Sequence, residues 1–224
     1  MELTSAVAVV TGANRGFGRH LAAQLIERGA KVYAAARTPE SVDLPGAIPL
    51  RLDVTDPRSV AEAAATAADA TLLINNAGVG AGGPILDGDL DGIRLDMETN
   101  YFGTLLATRA FAPVIEGNGG GAVLNVLSVL SWLHPGGYGS YSAAKAAAWA
   151  LTNASRDLLA PRGITVTGLH VGYMDTDMAA AIPAGQKSDP AVVAALALDA
   201  VARGDAEILG DDLTRGVKAQ LSSH

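Results

Sequence analysis

Short apolar runs alternate with longer amphipathic stretches along the whole chain. The apolar runs are Ala6–Val10, Lys31–Ala36, Ile48–Leu52, Thr71–Ile74, Ala122–Leu127, Ile164–Leu169 and Ala206–Leu209. Brief apolar segments rich in β-branched residues and bounded by turn signals read as buried strands. The stretches between them carry helical spacing. After Gly18, Leu21, Leu25 and Ile26 share one face, with Glu27 and Arg28 off it. Further helices are predicted from near Pro57, over roughly Asp89–Ile115, near Asp189 and over Asp211–Gln220. The glycine-rich segments Gly80–Pro84 and Gly117–Gly121 read as loops. Strand and helix patterns in strict alternation argue for a parallel sheet covered on both faces. The expectation is one α/β domain over residues 1–224, a Rossmann-type doubly wound parallel sheet of about seven strands.

The first strand runs into Thr11-Gly12-Ala13-Asn14-Arg15-Gly16-Phe17-Gly18, and a helix follows. Strand, glycine loop and helix in that order form the context of a dinucleotide-binding loop. Gly12 permits the tight turn, Gly16 lets the backbone approach a pyrophosphate, and Gly18 lets the helix pack closely on the strand. The helix N-terminus offers free N–H groups and a positive dipole end to the phosphates. At the end of the second strand stand Ala36 and Arg37, where an NAD site usually carries an acid for the ribose 2′-hydroxyl. With no carboxylate there, a 2′-phosphate is not repelled, and Arg37 and Arg15 can grip one. This charge pattern points to NADP(H).

Tyr141 and Lys145 lie four residues apart, about one helical turn, so they share a helix face. A cation beside a phenol favours phenolate, so Lys145 is expected to lower the Tyr141 pKa. Ser128 lies at the end of the apolar run Ala122–Leu127. Such a position faces the ligand crevice of an open parallel sheet, which prefers Ser128 over the alternative, Ser131. Tyr138 has Ser142 rather than a lysine four residues on, and reads as a pocket wall. Asp53 follows the third strand and either binds a ligand or caps the helix near Pro57. Asp56 is the better cap candidate, because proline favours the first helical position.

The glycine loop T-G-x-x-x-G-x-G, together with Asn75-Asn76-Ala77-Gly78, Ser128 and Tyr141/Lys145, resembles the short-chain dehydrogenase/reductase family. The resemblance runs in order from about Ala6 to Met178. It implies NADPH-dependent reduction of a ketone or aldehyde, or the reverse oxidation of an alcohol. Tyr141 is then the proton donor, Ser128 holds the oxygen, Lys145 tunes Tyr141 and binds the nicotinamide ribose, and Asn100 holds a water behind the lysine. Asn100 resembles an asparagine that disturbs its helix locally. The resemblance assigns the cofactor to Gly12, Asn14, Arg15, Gly16, Phe17, Gly18 and Arg37. It adds Asp53 and Val54 at the adenine, then Asn76, Ala77, Gly78, Tyr141, Lys145, Gly172 and Thr176. Ser128, Leu130, His134, Tyr138 and Tyr173 are the substrate-facing candidates, with an exposed loop histidine the equal alternative for His134. Val171-Gly172-Tyr173-Met174-Asp175-Thr176 resembles the P-G-x-x-x-T segment with valine in place of proline. Losing the fixed φ predicts a looser turn. The substrate loop around 172–189 is short, which predicts an open cleft. The family's glycine-rich ending is missing, so a homodimer through the helices of Asn100 and Tyr141, or a monomer, is expected rather than a tetramer.

Composition narrows the rest. A net charge of −7 disfavours nucleic acid as a partner. There is no cysteine, hence no disulfide and no thiol catalysis. No apolar run approaches the roughly 18 residues of a membrane span, and the chain enters its first strand with no room for a signal peptide. A cytoplasmic location is the expectation. His20, His134, His170 and His224 have no metal-ligand spacing, so no metal is expected. A cofactor-binding sensor without turnover is the alternative function, but such a protein typically lacks the tyrosine or lysine, and both are present here. A nucleotide-sugar epimerase would carry G-x-x-G-x-x-G and a larger C-terminal lobe, and neither is found.

Overall fold

The apolar runs pair side by side into one sheet. In the computed structural model, which describes residues 1–221, its strands are β1 (Val7–Thr11), β2 (Lys31–Ala36), β3 (Ala47–Arg51) and β4 (Leu72–Asn75). They continue with β5 (Gly121–Val126), β6 (Ile164–His170) and β7 (Glu207–Leu209). His224 lies outside the described residues. Every pairing is parallel and the order is β3-β2-β1-β4-β5-β6-β7. The helices are α1 (Gly16–Glu27), α2 (Pro57–Thr66), α3 (Leu90–Met97), α4 (Gly103–Gly117), α5 (Gly139–Leu159), α6 (Pro190–Arg203) and α7 (Asp212–Leu221). The doubly wound expectation is met.

Alternation along the central strands builds the two cores. Ala8, Val10, Leu72, Ile74 and Leu124 face a layer with Leu21 and Leu25 of α1 and Val193 and Leu198 of α6. Val9, Leu73 and Val123, one residue out of phase, face Val60 of α2 and Phe111 and Ile115 of α4. Both sides of these strands are therefore buried, which is why they read as unbroken apolar runs. Each fully buried Leu or Ile stabilises the fold by roughly 1.5–3 kcal/mol. Asn75 and Asn125 break the apolar pattern without penalty. Asn75 Nδ2 donates to Asn125 Oδ1 at 2.8 Å and to Thr108 Oγ1 at 3.1 Å, and Asn125 Nδ2 donates to Thr152 Oγ1 at 2.9 Å. This satisfied network joins β4 and β5 to α4 and α5.

The long helical stretch expected over Asp89–Ile115 is present, but it is not α-helical throughout. A π segment, Glu98–Phe102, separates α3 from α4. Asn100 sits in it, and its Nδ2 donates to the Asp96 carbonyl at 2.9 Å and to the Val79 carbonyl at 2.8 Å. The amide competes for the backbone, and the helix accommodates an extra residue. Asp56, as expected, caps α2 by accepting from Arg58 N at 2.9 Å. The strand order reverses between β1 and β4, so the ligand crevice lies beyond their carboxyl ends.

Candidate active site

The glycine loop occupies that crevice. Gly12 has φ +66° and Gly16 has φ +54°, in the left-handed region that favours glycine. A Cβ on Gly18 would lie 2.4 Å from the Gly12 carbonyl oxygen and 2.4 Å from Asn76 Nδ2, so only glycine lets α1 sit this close. Thr11 organises the neighbouring loop, a role the sequence reading missed. Its Oγ1 accepts from Asn76 N at 2.9 Å and Ala77 N at 3.0 Å, and donates to the Ile74 carbonyl at 3.2 Å. Asn76 Nδ2 in turn donates to the Thr11 carbonyl at 2.8 Å. Phe17 has its side chain in the core, which leaves only its N–H, in the first turn of α1, for a ligand. Asn14 is half-buried in the turn.

Two guanidiniums flank the loop. Arg37 is exposed and makes no ion pair or side-chain hydrogen bond among the described residues. Arg15 is exposed and meets Asp177 at 3.5 Å, a solvent-screened pair of little strength. Asp53 Oδ1 accepts from Thr55 N at 3.0 Å and Thr55 Oγ1 at 2.7 Å, so the carboxylate is preset by its own turn and caps nothing. Val54 is buried against Gly103, where a Cβ would come within 2.8 Å of Val54 Cγ2.

Beyond β5, Ser128, Tyr141, Lys145 and Asn100 come together. Lys145 is buried in α5, donates to the Val126 carbonyl at 2.9 Å and lies 5.5 Å from the centre of the Tyr141 ring. The Cβ position of Gly78 lies 2.8 Å from Asn100 Oδ1 and 3.7 Å from Lys145 Nζ, so a side chain there would fill the space between them. Asn100 Oδ1 is buried with no hydrogen-bond partner, an acceptor facing that space. Ser128 Oγ accepts from Leu130 N at 3.1 Å, which uses a lone pair and leaves its hydroxyl hydrogen free. Ser131, the alternative serine, is turned back to accept from Ser128 N at 3.5 Å. It completes a capping box instead of facing the crevice.

The expectation that Lys145 lowers the Tyr141 pKa is not met. Burial pushes the phenol up, and the negative charge of Asp96 adds to this. Burial also pushes Lys145 down, to about 8. No hydrogen bond joins the two side chains among the described residues, and Lys145 spends one N–H on Val126 instead.

The substrate-facing candidates divide. Tyr138 and Tyr173 lie next to each other, and the neighbouring phenol together with partial burial raises the Tyr173 pKa. Leu130 is buried in a small cluster with Val129, Trp132 and Val217, against which Tyr141 packs. His134 lies exposed on its loop. The turn after β6 is not loosened by the missing proline. Gly172 N donates to Asp211 Oδ2 at 2.6 Å, and the Val171 carbonyl accepts from Val129 N at 2.9 Å. Two hydrogen bonds from neighbouring segments replace the covalent restraint. Thr176 stands 3.8 Å from the Cβ position of Gly16. The segment that follows is closed by pairing of Met174 with Ser188.

Asp96, Ser140, His170 and Asp211 surround this site and escaped the sequence reading. They belong to no motif, and only packing brings them there. Among the described residues no group of three or more His, Asp or Glu side chains is placed to hold a metal ion, and no helix is long and apolar enough to cross a membrane.

Comparison with known proteins places this geometry. The family described as short chain dehydrogenase matches residues 6–187. A 3-oxoacyl-[acyl-carrier-protein] reductase, FabG, of Vibrio cholerae is 29% identical over 95% of this chain and 96% of its own. An NADPH-dependent 1-acyldihydroxyacetone phosphate reductase of Schizosaccharomyces pombe is 32% identical over 86% of this chain and 67% of its own. A short chain dehydrogenase from Burkholderia cenocepacia, solved in complex with NADP, superposes with a TM-score of 0.95. It is 39% identical and covers 100% of this chain and 95% of its own. A short chain dehydrogenase/reductase from Burkholderia phymatum, in complex with NAD, superposes with a TM-score of 0.85. It is 28% identical over 97% of this chain and 93% of its own.

Proposed function

The chain belongs to the short-chain dehydrogenase family, and from this membership and the site we propose that it is an NADPH-dependent reductase of small-molecule ketones or aldehydes, reversible toward alcohols. The observation that carries the reading is the convergence of Ser128, Tyr141, Lys145 and Asn100 beside a glycine loop flanked by two exposed guanidiniums, Arg15 and Arg37. The residues fit the cofactor. Gly16 leaves open space in front of the α1 N-terminus for a pyrophosphate, while Gly12 and Gly18 let the loop and α1 pack closely behind it. Ala36 and Arg37 offer a 2′-phosphate a cation and no carboxylate. When bound, NADPH supplies the hydride that reaches the carbonyl carbon.

The protein's own groups handle the oxygen. Ser128 donates its free hydroxyl hydrogen to the carbonyl oxygen and stabilises the charge that develops there. Tyr141 donates the proton as general acid. Its raised pKa keeps the phenol protonated at neutral pH, the form that reduction requires. Lys145, mostly cationic at neutral pH, keeps two N–H donors for the nicotinamide ribose after its bond to Val126. Asn100 Oδ1 offers an acceptor for a water that returns a proton through Lys145. The neighbouring phenols of Tyr138 and Tyr173 form one wall of the substrate mouth, and the segment 172–189 forms its short loop.

Cytoplasmic operation belongs to this reading, supported by the acidic, cysteine-free composition. A homodimer through α4 and α5 is supported by exposed Phe102, which immediately precedes α4, and exposed Leu158 of α5. The activity test is a spectrophotometric screen of ketones, aldehydes, quinones and steroids with NADPH. In Tyr141→Phe, kcat on any active carbonyl is expected to fall by about 10²–10⁴-fold, with NADPH affinity retained in a fluorescence titration. Near-normal turnover in that variant removes Tyr141 from the proton-donor role.

A further inference from the structure

Asp96 is fully buried in the last turn of α3, and the mechanism above does not use it. Its carboxylate accepts from Ala81 N at 2.7 Å, from Gly82 N at 3.2 Å and from Ser140 Oγ at 2.6 Å. It accepts three hydrogen bonds and donates none, the pattern of an ionised carboxylate. Ser140 immediately precedes Tyr141, and its N–H donates to the Gly83 carbonyl at 3.2 Å, while its hydroxyl hydrogen is given to Asp96. The loop thus tied down leans on the phenol itself, with the Cβ position of Gly80 3.6 Å from Tyr141 Cδ2. The room is so tight that a Cβ on Gly82 would meet Ile93 N at 2.6 Å and Ser140 Oγ at 2.7 Å.

We propose that Asp96 is a positioning residue for Tyr141, clamping Ser140 and the 80–83 loop around the phenol and setting the pH range over which Tyr141 donates its proton. The inference rests on the reductase reading. The charged groups facing the phenol are few. Lys145 stands on the same helix, 5.5 Å from the ring centre, and Asp96 stands on α3. The turn Val129–Ser131 and Trp132 face it with apolar Val129, Leu130 and Trp132, and the loop faces it with Gly80. A negative charge held in this apolar surround disfavours phenolate and extends the proton-donating form to higher pH.

The test is the pH profile of kcat/KM for carbonyl reduction in the cofactor-saturated enzyme. The alkaline limb reports the first proton lost from the neighbouring Tyr141 and Lys145, and a negative charge at Asp96 moves either group to higher pH. Asp96→Asn removes the charge and keeps the shape, and the limb is expected to move acidward by about one pH unit. Ser140→Ala keeps the charge and removes a hydroxyl dipole that partly neutralises it, so the limb is expected to move alkaline. Lower rates in both variants with unmoved limbs would reduce Asp96 to scaffolding and overturn the proposal. Should Asp96→Asn not fold, the sign of the Ser140→Ala displacement decides alone, an unmoved or acidward limb refuting. Should the wild-type chain reduce no carbonyl, the reductase reading fails separately. Tyr141 ionisation is then followed by phenolate absorbance in the NADP-saturated protein, with Tyr141→Phe as the blank and the same displacements expected.

Discussion

His170 should make this protein lose stability in mild acid. The imidazole ends β6 with no exposed surface, stacked on Trp132 with ring centroids 3.8 Å apart and met edge-on by Trp149 at 6.3 Å. Nδ1 lies 3.2 Å from the Ser128 carbonyl, while Nε2 is buried without a hydrogen bond, 3.5 Å from Glu207 Oε1. Burial pushes its pKa from 6.5 down to about 4. The Ser128 carbonyl and Glu207 pull the other way, and Lys218 and Arg156 push further down. A histidine depressed in the fold contributes stability that is complete above its unfolded pKa and is lost as pH falls toward the folded value. Each pH unit of the difference is worth about 1.4 kcal/mol, so the full loss is about 3 kcal/mol, of which about 2 kcal/mol falls between pH 7 and pH 5. The assay is urea unfolding of wild-type and His170→Asn across that range. The asparagine amide can still donate to the Ser128 carbonyl but cannot titrate. The variant starts less stable, because it leaves Trp132 unstacked, yet its stability should fall about 2 kcal/mol less on acidification. Parallel curves for the two proteins would mean that His170 is not the acid-sensitive group and would refute the argument.

Two further outcomes follow from the proposed cofactor cradle. Gly18→Ala forces a Cβ within 2.4 Å of the Gly12 carbonyl oxygen, a backbone atom that cannot swing away. A loss of about 1–3 kcal/mol is expected from such overpacking, read as a lower melting temperature together with weaker NADPH binding. Arg37→Ala removes one guanidinium from the proposed 2′-phosphate site. A charge-assisted bond of about 1.5–3 kcal/mol predicts a KM for NADPH raised roughly 10- to 100-fold, with the KM for NADH almost unchanged. An equal effect on both cofactors would move Arg37 out of that role.

Much of the site was legible because its parts are local in sequence. The glycine loop needs a strand before it and a helix after it, and all three signals fall within Val7–Glu27. Tyr141 and Lys145 meet because α-helical geometry joins residues four apart. Asn100 drew notice as a poor helix former, and the π segment lies where it was suspected. Ser128 was separable from Ser131 only by its place at a strand end, and the capping box shows why Ser131 is otherwise engaged.

What escaped were groups whose partners are distant in the chain. Asp96 reads as an ordinary polar residue of α3 until the fold brings Ser140 to it, 44 residues away. The turn at Val171 looked slack because its restraints come from Val129 and Asp211. The sign of the Tyr141 displacement was misjudged for the same reason. Spacing reveals a neighbouring lysine, but not the desolvation and the buried carboxylate that outweigh it. By itself the sequence determined the alternation of strands and helices, the glycine loop, and which tyrosine is paired with which lysine. These are read from covalent spacing and periodicity, which no folding alters. Only the tertiary structure decided which side chains are stripped of water and which charges face them. Ionisation depends on that three-dimensional environment, and in this protein it sets the proposed proton chemistry.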